Sequence, residues 1–141
     1  MEIAEQTCSE KQLKFTNLRR EILRMIWEGH GPKKAYDLLE KLQLTNQSAK
    51  PATVYRTLEF LLANGFIHKV NSLNAFVGCS HPSKHPDCYF LICDNCSDIS
   101  EYCDKAIASA IKTIAEKNQF RITNTTLEIA GRCNSCVQIS A

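Results

Sequence analysis

No stretch of this 141-residue sequence approaches the roughly 18 to 20 apolar residues that a membrane-spanning helix requires, so a helical span is excluded. The opening residues, Met1-Glu2-Ile3-Ala4-Glu5-Gln6, carry neither a basic n-region nor an apolar h-region. Export by a signal peptide is therefore not expected, and a cytoplasmic protein is. Charge of one sign is also scarce: the formal net charge is +2, too little to announce a nucleic-acid partner by itself. Internal repeats and low-complexity tracts are missing. So are H-E-x-x-H and an H-x-E matched to a cysteine knuckle, which argues against a zinc hydrolase or deaminase. What remains is an ordinary globular composition, 44% hydrophobic and 23% charged.

Against these absences stand eight cysteines, seven of them from Cys79 onward. A reducing compartment rarely keeps structural disulfides, and cysteine clusters there bind metal or do redox chemistry. Charge shifts along the chain in the same direction. Residues 1–77 hold 11 Lys/Arg against 8 Asp/Glu, and residues 78–141 hold 6 against 7. The front half is the better polyanion binder. Two modules are expected, over 1–77 and 88–141, joined by a hinge over 78–87 that is rich in turn and breaker residues.

In the front module, Leu18, Ile22, Leu23 and Ile26 recur at helical spacing behind a Thr16 or Asn17 cap, with Arg19, Arg20 and Arg24 along the border of the stripe. Gly29-His30-Gly31-Pro32 breaks that helix and leaves His30 solvated. Ala35, Leu38, Leu39 and Leu42 mark a second helix. A third runs from about Pro51 to Ala63 and stops at Asn64-Gly65, with Val54, Leu58, Leu61 and Leu62 facing the core. Its other face collects Thr53, Arg56, Glu59 and Phe60, with Tyr55 on the flank. That is a hydrogen-bonding surface rather than a plain solvated one. Phe66–Val70 and Ala75–Val77 then read as two strands. Three helices followed by a hairpin is the winged-helix order.

The back module is expected as a small α/β unit: a strand over Tyr89–Ile92 with a return through Ile99, a helix from about Asp104 to Asn118, and one long strand or two short ones over Phe120–Ile129. At about 55 residues it is marginal without a staple. Two C-x-x-C knuckles, Cys93/Cys96 and Cys133/Cys136, offer one: four thiolates for a tetrahedral structural zinc. A redox-active pair of the thioredoxin kind is the weaker reading, since neither knuckle has the expected flanking residues. Once those four are assigned, His68, Cys79, His81, His85, Cys88 and Glu101 remain around the hinge. Mixed nitrogen, sulfur and carboxylate donors spanning two modules suit a sensing site, because occupancy then couples to geometry. Cys8 is expected as a free thiol, and Cys103 as packing near the start of the back helix.

Four stretches of the front module, Phe15–Arg19, Ala35–Leu39, Lys50–Arg56 and Gly65–Val70, together with both knuckles, resemble the ferric uptake regulator family, and within it the zinc uptake regulators. The likeness runs from about residue 11 to 138. It implies an α+β fold, with an N-terminal winged-helix DNA-binding domain followed by a small α/β dimerisation domain with structural zinc. It also implies a zinc-responsive repressor that binds palindromic operator DNA as a homodimer, with no small-molecule substrate and two zinc ions per chain, one structural and one regulatory. Tyr55 and Arg56, with Thr53 beside them, fall where the family reads DNA, and Arg19 and Lys69 would touch phosphate. His68, Cys79, His85 and Glu101 fall where the sensing ion binds. The hinge differs in length here, so His81 and Cys88 stand beside His85 as the hinge ligand. An iron, manganese or peroxide sensor of the same family is the alternative; a first-shell Cys79 thiolate favours zinc.

Overall fold

A computed structural model describes residues 1–29, 31–80, 82, 88–123 and 125–139. The chain forms two compact units, Met1–Ser83 and Lys84–Ala141.

The first unit begins with a helix that was not read from the sequence, α1 (Glu2–Glu10), whose Ala4 and Cys8 are buried against the helical core. Arg20 Nε meets Glu5 Oε1 at 2.9 Å and ties α1 to the next helix. Cys8 is the free thiol expected and also a core residue, and burial raises its thiol pKa against the opposing pull of Arg19 and Lys11. Helix α2 (Asn17–Trp27) starts where the cap predicts: Thr16 accepts from the Arg19 N–H. Helices α3 (Ala35–Thr45) and α4 (Pro51–Ala63) follow, and Leu38, Leu42, Val54, Leu58 and Leu61 close the core against Ile22 and Leu23. Thr57 is buried in α4 and satisfies its hydroxyl on the Thr53 carbonyl at 3.0 Å.

The hairpin β1 (Ile67–Val70) and β2 (Ala75–Gly78) pairs antiparallel, with His68 opposite Val77. Lys33 adds a bridge to Phe76, which exchanges both backbone hydrogen bonds with it at 2.8 Å. Three helices and this wing make the winged helix. At the wing's base the Phe66 carbonyl accepts from the Trp27 indole at 3.2 Å and from the Cys79 backbone N–H at 3.0 Å. Gly78 lies against the same indole, where a side chain has no room.

The second unit is a three-stranded sheet in the order β4-β3-β5 with one long helix. Strand β3 (Cys88–Cys93) pairs antiparallel with β4 (Ile99–Cys103) and parallel with β5 (Leu127–Gly131). Helix α5 (Lys105–Lys117) is capped by the Asp104 carboxylate, which accepts from the Ala106 N–H at 2.6 Å. A short helix, α6 (Asn134–Ile139), carries the last knuckle. Of the strand expected over Phe120–Ile129, the described residues form β5 over Leu127–Gly131, which lies beside β3. Tyr89, Leu91, Tyr102, Leu127 and Ile129 share one sheet face, and Leu91, Tyr102 and Ile129 on it are exposed. Among the described residues, no helix is long and apolar enough to cross a membrane.

Gly78→Ala would drive a methyl group into the Trp27 ring. The expected cost is about 1–3 kcal/mol of first-unit stability. Urea unfolding followed by the fluorescence of Trp27, the chain's one tryptophan, measures it. A midpoint equal to that of the unsubstituted chain would mean the indole has room to move.

Candidate metal centre and nucleic-acid interface

Parallel pairing of β3 with β5 sets Cys93 beside Gly131, so both strands end together. Each runs directly into a knuckle. The first turn closes with the Ser97 N–H on the Cys93 carbonyl at 2.9 Å, and Ser97 adopts φ 57° to complete it. Asp94 N–H donates to the Gly131 carbonyl at 2.8 Å and fastens this turn to the second strand. In the second knuckle the Cys136 N–H reaches the Cys133 carbonyl at 3.0 Å as α6 begins. The outcome is that the sulfurs of Cys93, Cys96, Cys133 and Cys136 all lie within 4.8 Å of one another.

The Cys96 and Cys133 sulfurs are 3.7 Å apart. A tetrahedron with metal–sulfur bonds of about 2.3 Å has edges of about 3.8 Å, so this separation already suits zinc. The surroundings favour negative sulfur. Cys133 N–H donates to Cys93 Sγ at 3.4 Å, and Asn95 Nδ2 donates to Cys136 Sγ at 3.2 Å. The Cys133 N–H, helped by those of Cys96 and Asn95, holds the Cys93 thiol down to about 6 against its burial. Cys96 moves the other way: the Asp98 N–H would lower it, but the Cys93 sulfur, burial and the Cys136 and Cys133 sulfurs push it up to about 12. Cys136 is also raised, Asn95 notwithstanding, by the adjoining Cys133 thiol and by burial. One thiolate is welcome and further ones are resisted. A bound divalent cation reverses that balance and deprotonates the rest.

The other donors named from sequence fall in both units. In the first, His68 on β1 and Cys79 just beyond β2 bring their ligand atoms within 4.8 Å, with Cys79 buried. In the second, a Glu101 carboxylate oxygen on β4 lies within 4.8 Å of the sulfurs of both Cys88 and Cys103. Cys88, an alternate hinge ligand from sequence, is bonded here to Cys103, which therefore pairs across the sheet rather than merely packing near α5. His81 and His85, like His30, lie outside the described residues.

On α4, Thr53, Tyr55, Arg56 and Glu59 are exposed, and Phe60 is half-buried. The Arg19 guanidinium sits over the Phe60 ring at 3.5 Å and also donates to the Lys14 carbonyl, so Arg19 braces α4 from α2. Lys69 is exposed on the wing. A polar helix face beside a basic wing strand is a shape and chemistry suited to a DNA groove.

The family model for the Ferric uptake regulator family matches residues 10–130. The Zinc uptake regulation protein of Escherichia coli (strain K12) is 38% identical over 140 residues, spanning 98% of this chain and 81% of that one. Of the solved structures, a zinc uptake regulator complexed with zinc and DNA has a TM-score of 0.92 at 36% identity, covering 97% of this chain and 92% of its own. The holo form of XcZur has a TM-score of 0.89 at 40% identity, covering 97% and 96%.

Cys93→Ser or Cys133→Ser is expected to release one zinc per chain and unfold the second unit. Apparent zinc-binding energies of about 10–16 kcal/mol exceed the whole stability of a small domain. Metal analysis with circular dichroism tests it; native melting of a Cys93→Ser chain would rule out a structural centre.

Proposed function

The chain belongs to the ferric uptake regulator family, and from that premise we propose that it is a zinc-responsive transcriptional repressor, acting as a cytoplasmic homodimer on palindromic operator DNA to control zinc uptake genes. It is a regulator rather than an enzyme. The observation that carries the zinc response is the pairing of His68 and Cys79 at the base of the wing, within the unit that bears the reading helix.

Two ions per chain fit the donors. The four-thiolate centre holds the structural one. The regulatory ion takes His68, Cys79, Glu101 and a hinge donor, for which His85, His81 and Cys88 are the candidates. A buried thiolate at Cys79 favours zinc over iron or manganese, whose sites prefer imidazole and carboxylate. The exposed apolar face of the sheet, with Leu91 and Ile129 side by side, suits burial against a second copy across a two-fold axis.

Repression follows from geometry. His68 belongs to the wing and Glu101 to the second unit, so an ion bound by both restrains the two reading heads to the operator's spacing. Without it only a fraction of the dimers match, and apparent affinity falls by that fraction. Moving the dimer from mostly unmatched to mostly matched needs about 5 kcal/mol of zinc preference, within reach of a mixed-ligand site. Linkage is reciprocal, so operator DNA tightens the regulatory zinc by the same factor. In the major groove, Arg56 makes a bidentate contact to guanine, with Tyr55 and Thr53 beside it. Lys69, and Arg19 with the guanidinium donors that Lys14 leaves, meet phosphate.

Arg56→Ala is expected to cost about 1–3 kcal/mol on operator DNA and to relax sequence choice, whereas Lys69→Ala weakens all sequences alike and flattens the salt dependence. Binding titrations on operator and random DNA at several salt concentrations distinguish the two. Equal discrimination by Arg56→Ala and the unsubstituted chain would refute the reading face. Cys79→Ser should leave a folded dimer that retains structural zinc yet no longer tightens on operator DNA as zinc is added. An unaltered zinc dependence in gel shifts would make the donor set incidental.

A further inference from the structure

Cys88, the first residue of β3, and Cys103, the last of β4, stand opposite each other in the antiparallel register and are joined as a disulfide, with their Cα atoms 4.2 Å apart. A non-hydrogen-bonded antiparallel pair has a Cα separation of about 4.5 Å, so strand pairing alone brings these sulfurs together. Glu101 shares their sheet face, two residues before Cys103, which is why its carboxylate lies within 4.8 Å of both sulfurs. Cys103 is exposed and Cys88 half-buried, so a small thiol or disulfide can reach the bond. In an exported protein such a bridge would be a staple. In a reducing cytoplasm, beside DNA, disulfides are transient or redox-sensing, and exposed ones are the labile kind.

We propose that Cys88 and Cys103 are a reversible thiol–disulfide pair that sets the zinc affinity of the regulatory centre through Glu101, the open dithiol form binding zinc more tightly than the closed one. This rests on the reading of Glu101 as a regulatory zinc ligand. When the pair is open, two sulfurs stand within ligand reach of that carboxylate, and thiolates are preferred zinc donors. When it is closed, both sulfurs are spent on each other and Glu101 alone remains. Oxidation therefore loosens the regulatory ion and lifts repression even when zinc is plentiful.

The oxidant is a low-molecular-weight disulfide such as oxidised glutathione. The exposed Cys103 thiolate attacks one of its sulfurs, giving a mixed disulfide and releasing one glutathione thiolate. Cys88 thiolate then attacks Cys103 Sγ, forming the Cys88–Cys103 bond and releasing the second. The two protein thiols give up two electrons and two protons, and both leave as two molecules of reduced glutathione. Excess reduced glutathione runs the same steps backwards.

The test uses the full-length dimer with its structural zinc in place. It is equilibrated across reduced and oxidised glutathione mixtures, its thiols are trapped by alkylation for mass spectrometry, and the second ion is titrated with zinc against a competing chelator. Cys88 and Cys103 should become protected together, while the four cysteines of the structural centre stay reduced and zinc-bound. The open form should bind the second zinc about tenfold or more tightly than the closed form. In Cys103→Ser, oxidised glutathione should no longer change zinc affinity. Failure of the pair to close in excess oxidised glutathione, equal affinity of the two forms for the second ion, or persistent oxidant sensitivity in Cys103→Ser would each overturn the proposal. If neither form takes up a second zinc while the first is retained, the regulatory centre itself is wrong. That result is distinct from equal affinities.

Discussion

The parallel pairing of β3 with β5 is the constraint on which the second unit depends. Its register brings Cys93 and Gly131 level, and only then do two knuckles separated by a helix and a strand converge. Among the described residues of this unit the buried apolar set is short: Phe90, Ile92, Cys93, Ala115 and Cys136. Two of these five belong to the four-cysteine cluster. A unit whose core is so thin gains little from hydrophobic burial, which is the setting in which a metal-held cluster contributes most to folding. The first unit is built differently. It buries a broad set of Leu, Ile, Val and Phe side chains in one apolar core.

This division of labour separates permanence from response. The four-thiolate centre has its donors in turns tied by backbone hydrogen bonds, with sulfurs already at tetrahedral spacing. On the proposed mechanism the regulatory ion is different, since its donors belong to separate units. The Cys88–Cys103 pair adds a third kind of chemistry on the same strand that ends in Cys93.

Much of this was legible in the sequence because periodicity and spacing carried it. The α4 core stripe, its Pro51 start and the wing strands were all readable, as were the knuckles, whose spacing is unusual but whose donor type is unmistakable. What was missed had physical reasons. Helix α1 packs through small residues, Ala4 and Cys8, which leave little apolar signal. The Phe120–Ile129 stretch has strand-forming composition throughout, yet a strand exists only where a neighbour pairs with it. Arg19 was expected as a phosphate contact, and the fold adds that its guanidinium lies over the Phe60 ring. The Cys88–Cys103 bond was hidden by an argument about compartment. Its signal was present all the same, because a hairpin pairing Ile92 with Ile99 must set residue 88 opposite residue 103.

The wing has its candidate metal donors at one end and its turn at the other. His68 and Cys79 lie toward its base, where Cys79 is anchored to the Phe66 carbonyl, while Val70 and Ala75 close the rung beside the tip. The hairpin's own hydrogen bonds and the Lys33 bridge define its shape without an ion. A reading head of this kind enters the genome already folded. The metal-free protein should therefore still scan DNA, sliding and hopping on phosphate contacts like any weakly basic domain. On the proposed mechanism, zinc then acts on a reading head that is already folded. The regulator would not be recruited to the chromosome by zinc; it would be told where on the chromosome to stop.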